Sequence, residues 1–393
     1  MNYDYLFFIA LILIFTKILG LATKRINLPQ VVGALAAGLI LGPACLNLVQ
    51  ETEFISEVSE LGVIVLMFTA GLETDIGELK KCGKASFVIA LIGVIVPLLG
   101  GFGVAAMFSE GDPTLPTSLF LQNIFIGIIL TATSVSITVE TLKELGKLST
   151  KAGNAILGAA LIDDILGIIA LTVVTSLADS SVNILTVLLK ILGFFVFAAL
   201  FGFLFHKLFT KWTDRAEEAM HRHCIMSFAF CLLFAYVSEE IFNVADITGA
   251  FLAGILISTS SKNSYIASRF DTLSYLLLSP VFFASIGLKV TLPKMTGSII
   301  AFSVILLLVA VLTKIIGCAV GAKMCKYTNK ESIQIGIGMI SRGEVALIVA
   351  SNGSRVGLMS DKLFGPVVIM VVITTVITPI LLKIAFKSKK TTA

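Results

Sequence analysis

The sequence has few charged residues for its length and few of the side chains that build catalytic centres. Of its 393 residues only 14% are charged, three are histidine and one is tryptophan, whereas 57% are hydrophobic. The mean hydropathy of +1.01 is far above what the surface of a water-soluble protein tolerates. The composition therefore excludes a water-soluble globular domain and predicts an integral membrane protein.

Motifs for metal, redox or hydrolytic chemistry are also missing. The six cysteines form no CxxC pair and have no histidine at ligand spacing, so we interpret them as small apolar residues. No Ser/His or metal-ligand constellation occurs within the apolar runs, which argues against an enzyme. Single lysines between apolar runs do not indicate a nucleic-acid partner. No cofactor is expected apart from a transported ion.

The apolar runs predict an all-α polytopic protein with about thirteen transmembrane helices. Each run approaches the ~20 residues that a helix needs to cross the hydrocarbon core. The candidate spans are roughly 5–22, 29–47, 57–73, 84–108, 117–142, 152–178, 184–206, 224–239, 244–260, 271–288, 296–322, 332–352 and 363–382. Most of the 29 basic residues fall in alternate connectors. By the positive-inside rule, this bias places the N-terminus outside and the C-terminus in the cytoplasm.

Five charged residues lie deep inside apolar runs, where each costs ~3 kcal/mol unless it is paired or hydrated. They are Asp163, Asp164, Lys314, Arg342 and Glu344. Counting helical rise from the basic residues at the inner ends of their spans places all five near one depth. We expect them to neutralise one another across an interior cavity. Adjacent aspartates point about 100° apart on a helix, so one carboxylate is left to exchange a proton for a cation.

Two spans contain segments that do not resemble regular lipid-facing helix. Residues 131–138 read TATSVSIT, and residues 336–347 read GIGMISRGEVAL, with three glycines around two charges. Unwound backbone at membrane depth is tolerated beside a cavity, where freed carbonyl and hydroxyl oxygens bind ions. We therefore predict unwound backbone in both segments. A helix-packing interface of small residues is the alternative.

The two interrupted spans occupy matching places in the predicted topology. Each is the second member of a trio, spans four to six and spans eleven to thirteen, and the trios run in opposite directions. This order predicts an inverted repeat. Glu140 and Glu73 lie at span ends, where they either extend a cytoplasmic funnel that attracts cations or sit in solvent. His206, His221 and His223 lie at the ends of the connector between the seventh and eighth spans. We interpret them as solvated loop residues, and a cytoplasmic pH-sensing role is the alternative.

Seven motifs in order along the chain resemble bacterial monovalent cation:proton antiporters. They are INLPQVVGALAAGLILGP, ELGVIVLMFTAGLE, ATSVSIT, GAALIDDILGIIAL, SPVFFASIGLKV, TKIIG and SRGEVALIVA. The resemblance is to the two-aspartate electrogenic branch, which is NapA/NhaA-like, and to GerN/Kef-type membrane domains. It implies that Asp164 is the main carrier of cation and proton, with Thr133 and Ser134 beside it. It also implies that Asp163 pairs with Lys314, and that Arg342 and Glu344 support the site. The residues that the resemblance implies to be unwound are Thr131, Ala132, Thr133, Ser134, Val135 and Ser136 in the fifth span and Ser341 and Gly343 in the twelfth.

The resemblance further implies an NhaA-like antiporter fold, with two crossing discontinuous helices in an ion-translocating core. The core comprises approximately residues 84–178 and 296–382, and a dimerisation scaffold comprises 1–73 and 184–288, with no soluble regulatory domain. The expected activity is electrogenic exchange of Na⁺, or of K⁺ or Li⁺, for protons by a homodimer in the bacterial cytoplasmic membrane. Alternating access would follow an elevator movement. A Kef-type K⁺ efflux pathway and a membrane sensor without transport are the alternatives.

Overall fold

The protein is all-helical, with no strand in the described part of the chain. The structure is a computed structural model that describes residues 3–26, 28–108, 117–178, 183–215, 220–290 and 297–387, without the side chains at 210, 213–215, 220, 298, 344 and 361. The helices are α1 (Asp4–Arg25), α2 (Gln30–Leu41), α3 (Glu53–Leu72), α4 (Ile76–Phe108), α5 (Leu119–Ile129), α6 (Val135–Glu144), α7 (Lys151–Ala178), α8 (Ile184–Arg215), α9 (Met220–Tyr236), α10 (Asp246–Ser258), α11 (Asn263–Leu273), α12 (Ser279–Leu288), α13 (Gly297–Met324), α14 (Asn329–Gly338), α15 (Glu344–Arg355) and α16 (Phe364–Phe386). Single π-helical turns extend α9 over Val237–Ile241 and join α11 to α12 over Ser274–Leu278.

Nine helical stretches within the described residues are long and apolar enough to cross a membrane. The prediction of an all-α membrane protein is therefore confirmed. The other predicted spans correspond to shorter helices, namely α2, α10 and the pairs α5–α6 and α14–α15. The count of thirteen crossings stays a prediction, because a short or interrupted helix does not by its length alone establish a crossing.

Several helices begin where a hydroxyl side chain satisfies a free backbone N–H group. Thr52 accepts a hydrogen bond from Ile55 N at the start of α3, and Ser118 accepts one from Leu121 N at the start of α5. Thr328 and Glu331 form a reciprocal capping box at the start of α14. These caps stabilise the first turns, whose N–H groups have no partner within the helix.

The connector predicted between the seventh and eighth spans is largely helix. Its first part continues α8 to Arg215, and α9 resumes at Met220. The interpretation of the histidines as solvated loop residues is wrong for His223, which has no exposed surface. The His223 ring packs edge-on against Trp212, with the two ring centroids 4.5 Å apart. Because α8 extends to Arg215 and α9 begins at Met220, their facing sides bury residues that a loop would leave in solvent.

Close helix contacts depend on small residues. α3 packs against α10 at Gly71 and Gly254, where an added Cβ at either glycine would lie 2.3 or 2.2 Å from a carbonyl oxygen of the other helix. In the same way, α4 packs against both α7 and α13. Such backbone-to-backbone packing is characteristic of membrane helices, since lipid is as apolar as the side chains and gives no hydrophobic drive to associate.

Two trios of helices have the same internal order. In each, a long helix (α4 or α13) is followed by an interrupted helix (α5–α6 or α14–α15) and then by another long helix (α7 or α16). The interruptions comprise residues 130–134 and 339–343. The first is shorter than predicted: Val135 and Ser136 are not unwound but form the first turn of α6. Helix can resume at Val135 because the N–H group of Ser134, just before it, has a partner outside the helix.

Candidate ion-binding site

The two interruptions are bonded directly to each other. The backbone N–H of Ser134 donates to the carbonyl oxygen of Ser341 at 2.7 Å. One turn further on, Thr138 Oγ1 donates to the carbonyl of Gly338 at 2.8 Å. Gly343 permits this approach, because a Cβ there would lie 2.6 Å from Ser134 Oγ. These contacts align the broken ends of two helices that are far apart in sequence.

Each interruption exposes carbonyl oxygens at one helix end and N–H groups at the next, with partial negative and positive charge respectively. Two buried, positively charged side chains donate hydrogen bonds to carbonyl oxygens at the C-terminal end of α5. Lys314 Nζ donates to the carbonyl of Thr131 at 2.8 Å, and Arg342 Nη1 donates to that of Ala132 at 2.6 Å. Both carbonyl groups belong to residues just beyond the last residue of α5. The positive side chains therefore replace the hydrogen bonds that a continuous helix would have made.

Lys314 also binds one of the two adjacent aspartates. Its Nζ lies 2.8 Å from Asp163 Oδ1, and both side chains are shielded from solvent. Within the described residues, Asp163 Oδ2 has no hydrogen-bond partner. A buried ion pair of this kind is held by the whole protein around it, since neither charge can return to water without unpacking the site.

Asp164 follows Asp163 on α7 but occupies a different environment. Its side chain is half-buried, whereas Asp163 is 2% exposed. The difference follows from the rotation of about 100° between successive helical residues, which turns Asp164 away from the direction in which Asp163 meets α13. The pair thus presents one carboxylate to a buried lysine and one to a more accessible space.

Arg342 is fully buried and binds uncharged oxygens. Besides Ala132, its guanidinium lies 3.5 Å from Thr133 Oγ1 and 3.5 Å from the carbonyl of Ala310 on α13. The sequence predicted that Glu344 helps to neutralise the charges of the site. Glu344 begins α15, but its side chain lies outside the described part of the structure, so that role stays a prediction.

Sequence reasoning missed a hydroxyl residue that shapes the site. Thr375 Oγ1 on α16 donates to the carbonyl of Arg342. Thr374, Thr375 and Thr378 are all buried in an otherwise apolar helix. That cluster is the signal that a closer examination of the thirteenth span would have used, because a buried hydroxyl requires an acceptor.

A cavity of about 840 Å³ lies where α6 faces α1, α2, α11 and α12. Glu140, Lys143 and Glu144 of α6 line it, together with Asp271 of α11. Glu73, whose role the sequence left open, lies next to this group with Oε1 3.1 Å from Lys143 Nζ. Glu140 therefore contributes to the wall of a polar recess and is only partly exposed.

Adjacent carboxylates, buried hydroxyls and carbonyls outside the helical hydrogen-bond pattern, grouped around two broken helices, are the features of a secondary transporter for a small ion. This is the class that the arrangement defines. The chain belongs to the sodium/hydrogen exchanger (transmembrane) family, which matches residues 9–388.

Individual relatives agree with that assignment. The chain is 40% identical over 394 residues to the Na(+)/H(+)-K(+) antiporter GerN of Bacillus cereus, with 99% of this chain and 98% of GerN covered. It is 38% identical to the Na(+)/H(+) antiporter of Enterococcus hirae, with 97% of each covered. These relatives are antiporters and not enzymes. The fold is similar to that of the sodium proton antiporter MjNhaP1 from Methanocaldococcus jannaschii, with a TM-score of 0.70, 18% identity, and 96% of this chain and 95% of that chain covered.

Proposed function

We propose that this protein exchanges Na⁺ for protons across the bacterial cytoplasmic membrane, with Asp164 as the residue that carries both ions in turn. Two relatives that align over nearly their whole length are named as sodium/proton antiporters, which supports the choice of Na⁺. The name of GerN also includes K⁺, so K⁺ is the first alternative cation and Li⁺ the second. The positive-inside bias supports an N-terminus outside and a C-terminus in the cytoplasm.

The observation that carries this proposal is that two adjacent aspartates have different environments. Lys314 forms an ion pair with Asp163, whereas the adjacent Asp164 is more accessible to solvent. A half-buried carboxylate favours a proton when no cation is near, and it releases that proton when a cation binds. Thr133 and Ser134, with hydroxyls at the interruption between α5 and α6, would supply further oxygen ligands.

Alternating access would come from an elevator movement of the core against the scaffold. The division is supported by packing, since α4, α7 and α13 pack together in the core and α3 packs with α10 and α12 in the scaffold. The scaffold would also form the homodimer. A Kef-type K⁺ pathway without proton exchange is less consistent with Lys314, because a fixed positive charge beside the path repels cations.

The direct test uses proteoliposomes with an imposed pH gradient, to which Na⁺, K⁺ or Li⁺ is added outside while internal pH is followed. Wild-type protein is expected to dissipate the gradient on cation addition, and the most effective ion is the substrate. Asp164→Asn, which keeps the size but cannot lose a proton, should not respond. If Asp164→Asn matches the wild type, or if the wild type responds to no cation, the antiport mechanism is wrong and the efflux or sensor alternatives take its place.

Electrogenic exchange is a second, separable part of the proposal. If Lys314 also gives up its ammonium proton when Asp163 turns to the bound cation, two protons, one from Asp164 and one from Lys314, cross for each Na⁺, and the exchange moves net charge. The rate of Na⁺-driven pH change should then increase or decrease as the membrane potential is set with K⁺ and valinomycin. A rate independent of the potential would indicate one proton per cation and would leave antiport itself intact.

A further inference from the structure

The C-terminal end of α6 contacts three scaffold elements at once. Lys143 Nζ lies 3.1 Å from Oε1 of Glu73, the residue that directly follows α3. Lys143 Nζ also contacts Asp271 Oδ1 on α11. The carboxylate of Glu144 accepts the backbone N–H of Gln30, the first residue of α2, with oxygens at 2.9 and 2.8 Å. These bonds join the core to the scaffold on the predicted inner side of the membrane.

The helix that carries these bonds begins at the ion site. Ser134, which bonds Ser341 at the crossing, lies nine residues before Lys143, a rise of about 14 Å along one helix. α6 contains no proline or glycine, so it has none of the usual causes of a bend. A displacement of the crossing relative to the scaffold would therefore move Lys143 and Glu144 away from their partners.

The bonds are arranged so that they can open. The side chains of Lys143, Glu73 and Asp271 are 25%, 29% and 41% exposed, and Lys143 and Asp271 line the 840 Å³ cavity. Partly exposed ion pairs contribute little to stability, because water and salt compete for the charges. Burial acts to lower the pKa of Lys143, but the carboxylates of Glu73 and Asp271 outweigh it and raise the pKa, so Lys143 stays charged.

We propose that Lys143 and Glu144 form an inner latch, which holds the core against the scaffold in the conformation seen here and opens in every transport cycle. This inference rests on the proposed elevator exchange, and it adds residues that control the movement without binding the ion. The latch sets the balance between the two access states: weakening it favours the state in which the core has moved away from Glu73, Asp271 and Gln30.

Lys143→Gln tests the latch with little change in side-chain size. Transport is measured in right-side-out and inverted vesicles, so that the cation is supplied from one face at a time. We expect the KM for the cation to change by about three- to ten-fold and in opposite directions at the two faces. A cation supplied from one face binds only the state that is open to that face, and the variant increases the population of one state at the expense of the other. Lys143→Arg should restore wild-type values, since it keeps the charge between the two carboxylates.

Lys151→Gln is the matched control. Lys151 lies at the start of α7, with Nζ 4.0 Å from Glu331 Oε2 on α14, so its ion pair joins two elements of the core and none of the scaffold. It should leave both KM values unchanged. A role of Lys143 in stability alone would lower the amount of active protein and the maximal rate, without an opposite shift of KM at the two faces.

A second experiment closes the latch with a covalent cross-link. Cysteines at Lys143 and Asp271, joined by a short cleavable cross-linker, should stop exchange, and cleavage should restore it; the single Lys143→Cys variant treated alike is the control for the native cysteines. If the wild type exchanges ions but Lys143→Gln leaves both KM values unchanged, or if the cross-linked protein still exchanges, the latch is wrong. If the wild type itself does not exchange ions, the proposed function has failed instead.

Discussion

Lys314 and Lys143 each bind an aspartate on another helix, but they do so in different surroundings. The side chains of the Lys314–Asp163 pair are 0% and 1% exposed, whereas those of Lys143 and Asp271 are 25% and 41% exposed. The first pair lies at the crossing of the two interrupted helices, and the second joins α6 to α11 beside a cavity. The same chemical groups are therefore shielded from water in one place and partly hydrated in the other.

The difference follows from solvation. A buried ion pair that loses one partner leaves a charge that neither water nor a neighbour can stabilise, so the pair persists while the protein is folded. A partly exposed pair is replaced by hydration at little cost. Ion binding requires a preformed arrangement, and movement between domains requires contacts that break and form again. The predictions below test whether burial separates the two roles.

The largest expected loss of stability is for Asp163→Ala. The ammonium group of Lys314 would keep only the Thr131 carbonyl as its partner, which should cost about 3–5 kcal/mol of unfolding free energy. Thermal unfolding in detergent, followed by circular dichroism, measures the effect. Asp164→Asn is the control, because its side chain is half-buried and keeps its shape. Equal stability of the two variants would contradict the distinction drawn here.

Replacing both members of the buried pair tests whether the loss of stability comes from an unpaired buried charge. Asp163→Leu with Lys314→Met removes both charges and leaves only the Thr131 carbonyl without its donor. We expect this double variant to be more stable than Asp163→Ala and to lie about 1–3 kcal/mol below the wild type, yet to exchange no ions. Activity in proteoliposomes is measured on the same preparation. A double variant less stable than Asp163→Ala would overturn the electrostatic explanation.

A smaller effect is expected where the two interrupted helices touch. Gly343→Ala would place a Cβ 2.6 Å from Ser134 Oγ and should cost about 1–3 kcal/mol through overpacking. Exchange should fall as well, because the Ser134–Ser341 hydrogen bond lies at the same point. Gly103→Ala in α4 is the control, since nothing lies within 4 Å of its added Cβ. If the two alanine variants behave alike, the close approach at the crossing is not as described.

For the exposed contact, Lys143→Gln should change unfolding free energy by no more than about 1 kcal/mol. The same variant is expected to alter transport kinetics at both faces, as argued for the inner latch. Thermal unfolding of Lys143→Gln beside Asp163→Ala compares the two lysine sites directly. A loss for Lys143→Gln as large as that for Asp163→Ala would mean that exposure does not separate them.

The smallest effect concerns Glu331 and depends on pH. The backbone N–H of Thr328 lowers the pKa of Glu331 below its ordinary value of 4.5. Because the folded-state pKa is the lower one, the contribution to stability is present above pH 4.5 and is lost as pH falls through the folded-state pKa. Glu331→Gln should therefore be slightly less stable than the wild type at pH 7. This difference in unfolding temperature should shrink in acid, and a constant difference would contradict the capping role.

The sequence contained most of the signals for the site but not its contacts. Interior charges and clustered hydroxyls and glycines are conspicuous in apolar runs, because each is costly in lipid unless something compensates. The resemblance implied that Asp163 and Lys314 pair, and their charged atoms lie 2.8 Å apart. The unwound segment was predicted too long at Val135 and Ser136, because the start of a helix depends on which N–H groups find partners elsewhere.

By itself, the sequence determined the class of protein, its helical architecture, the places where two helices break and the residues whose charge requires an explanation. Only the tertiary structure decided that Arg342 binds carbonyl oxygens of Ala132 and Ala310, and that Lys143 joins α6 to elements near Glu73 and Asp271. The reason is that membrane helices are apolar both where they face lipid and where they face each other. Hydrophobic periodicity therefore says little about how each helix is rotated or which neighbours it contacts.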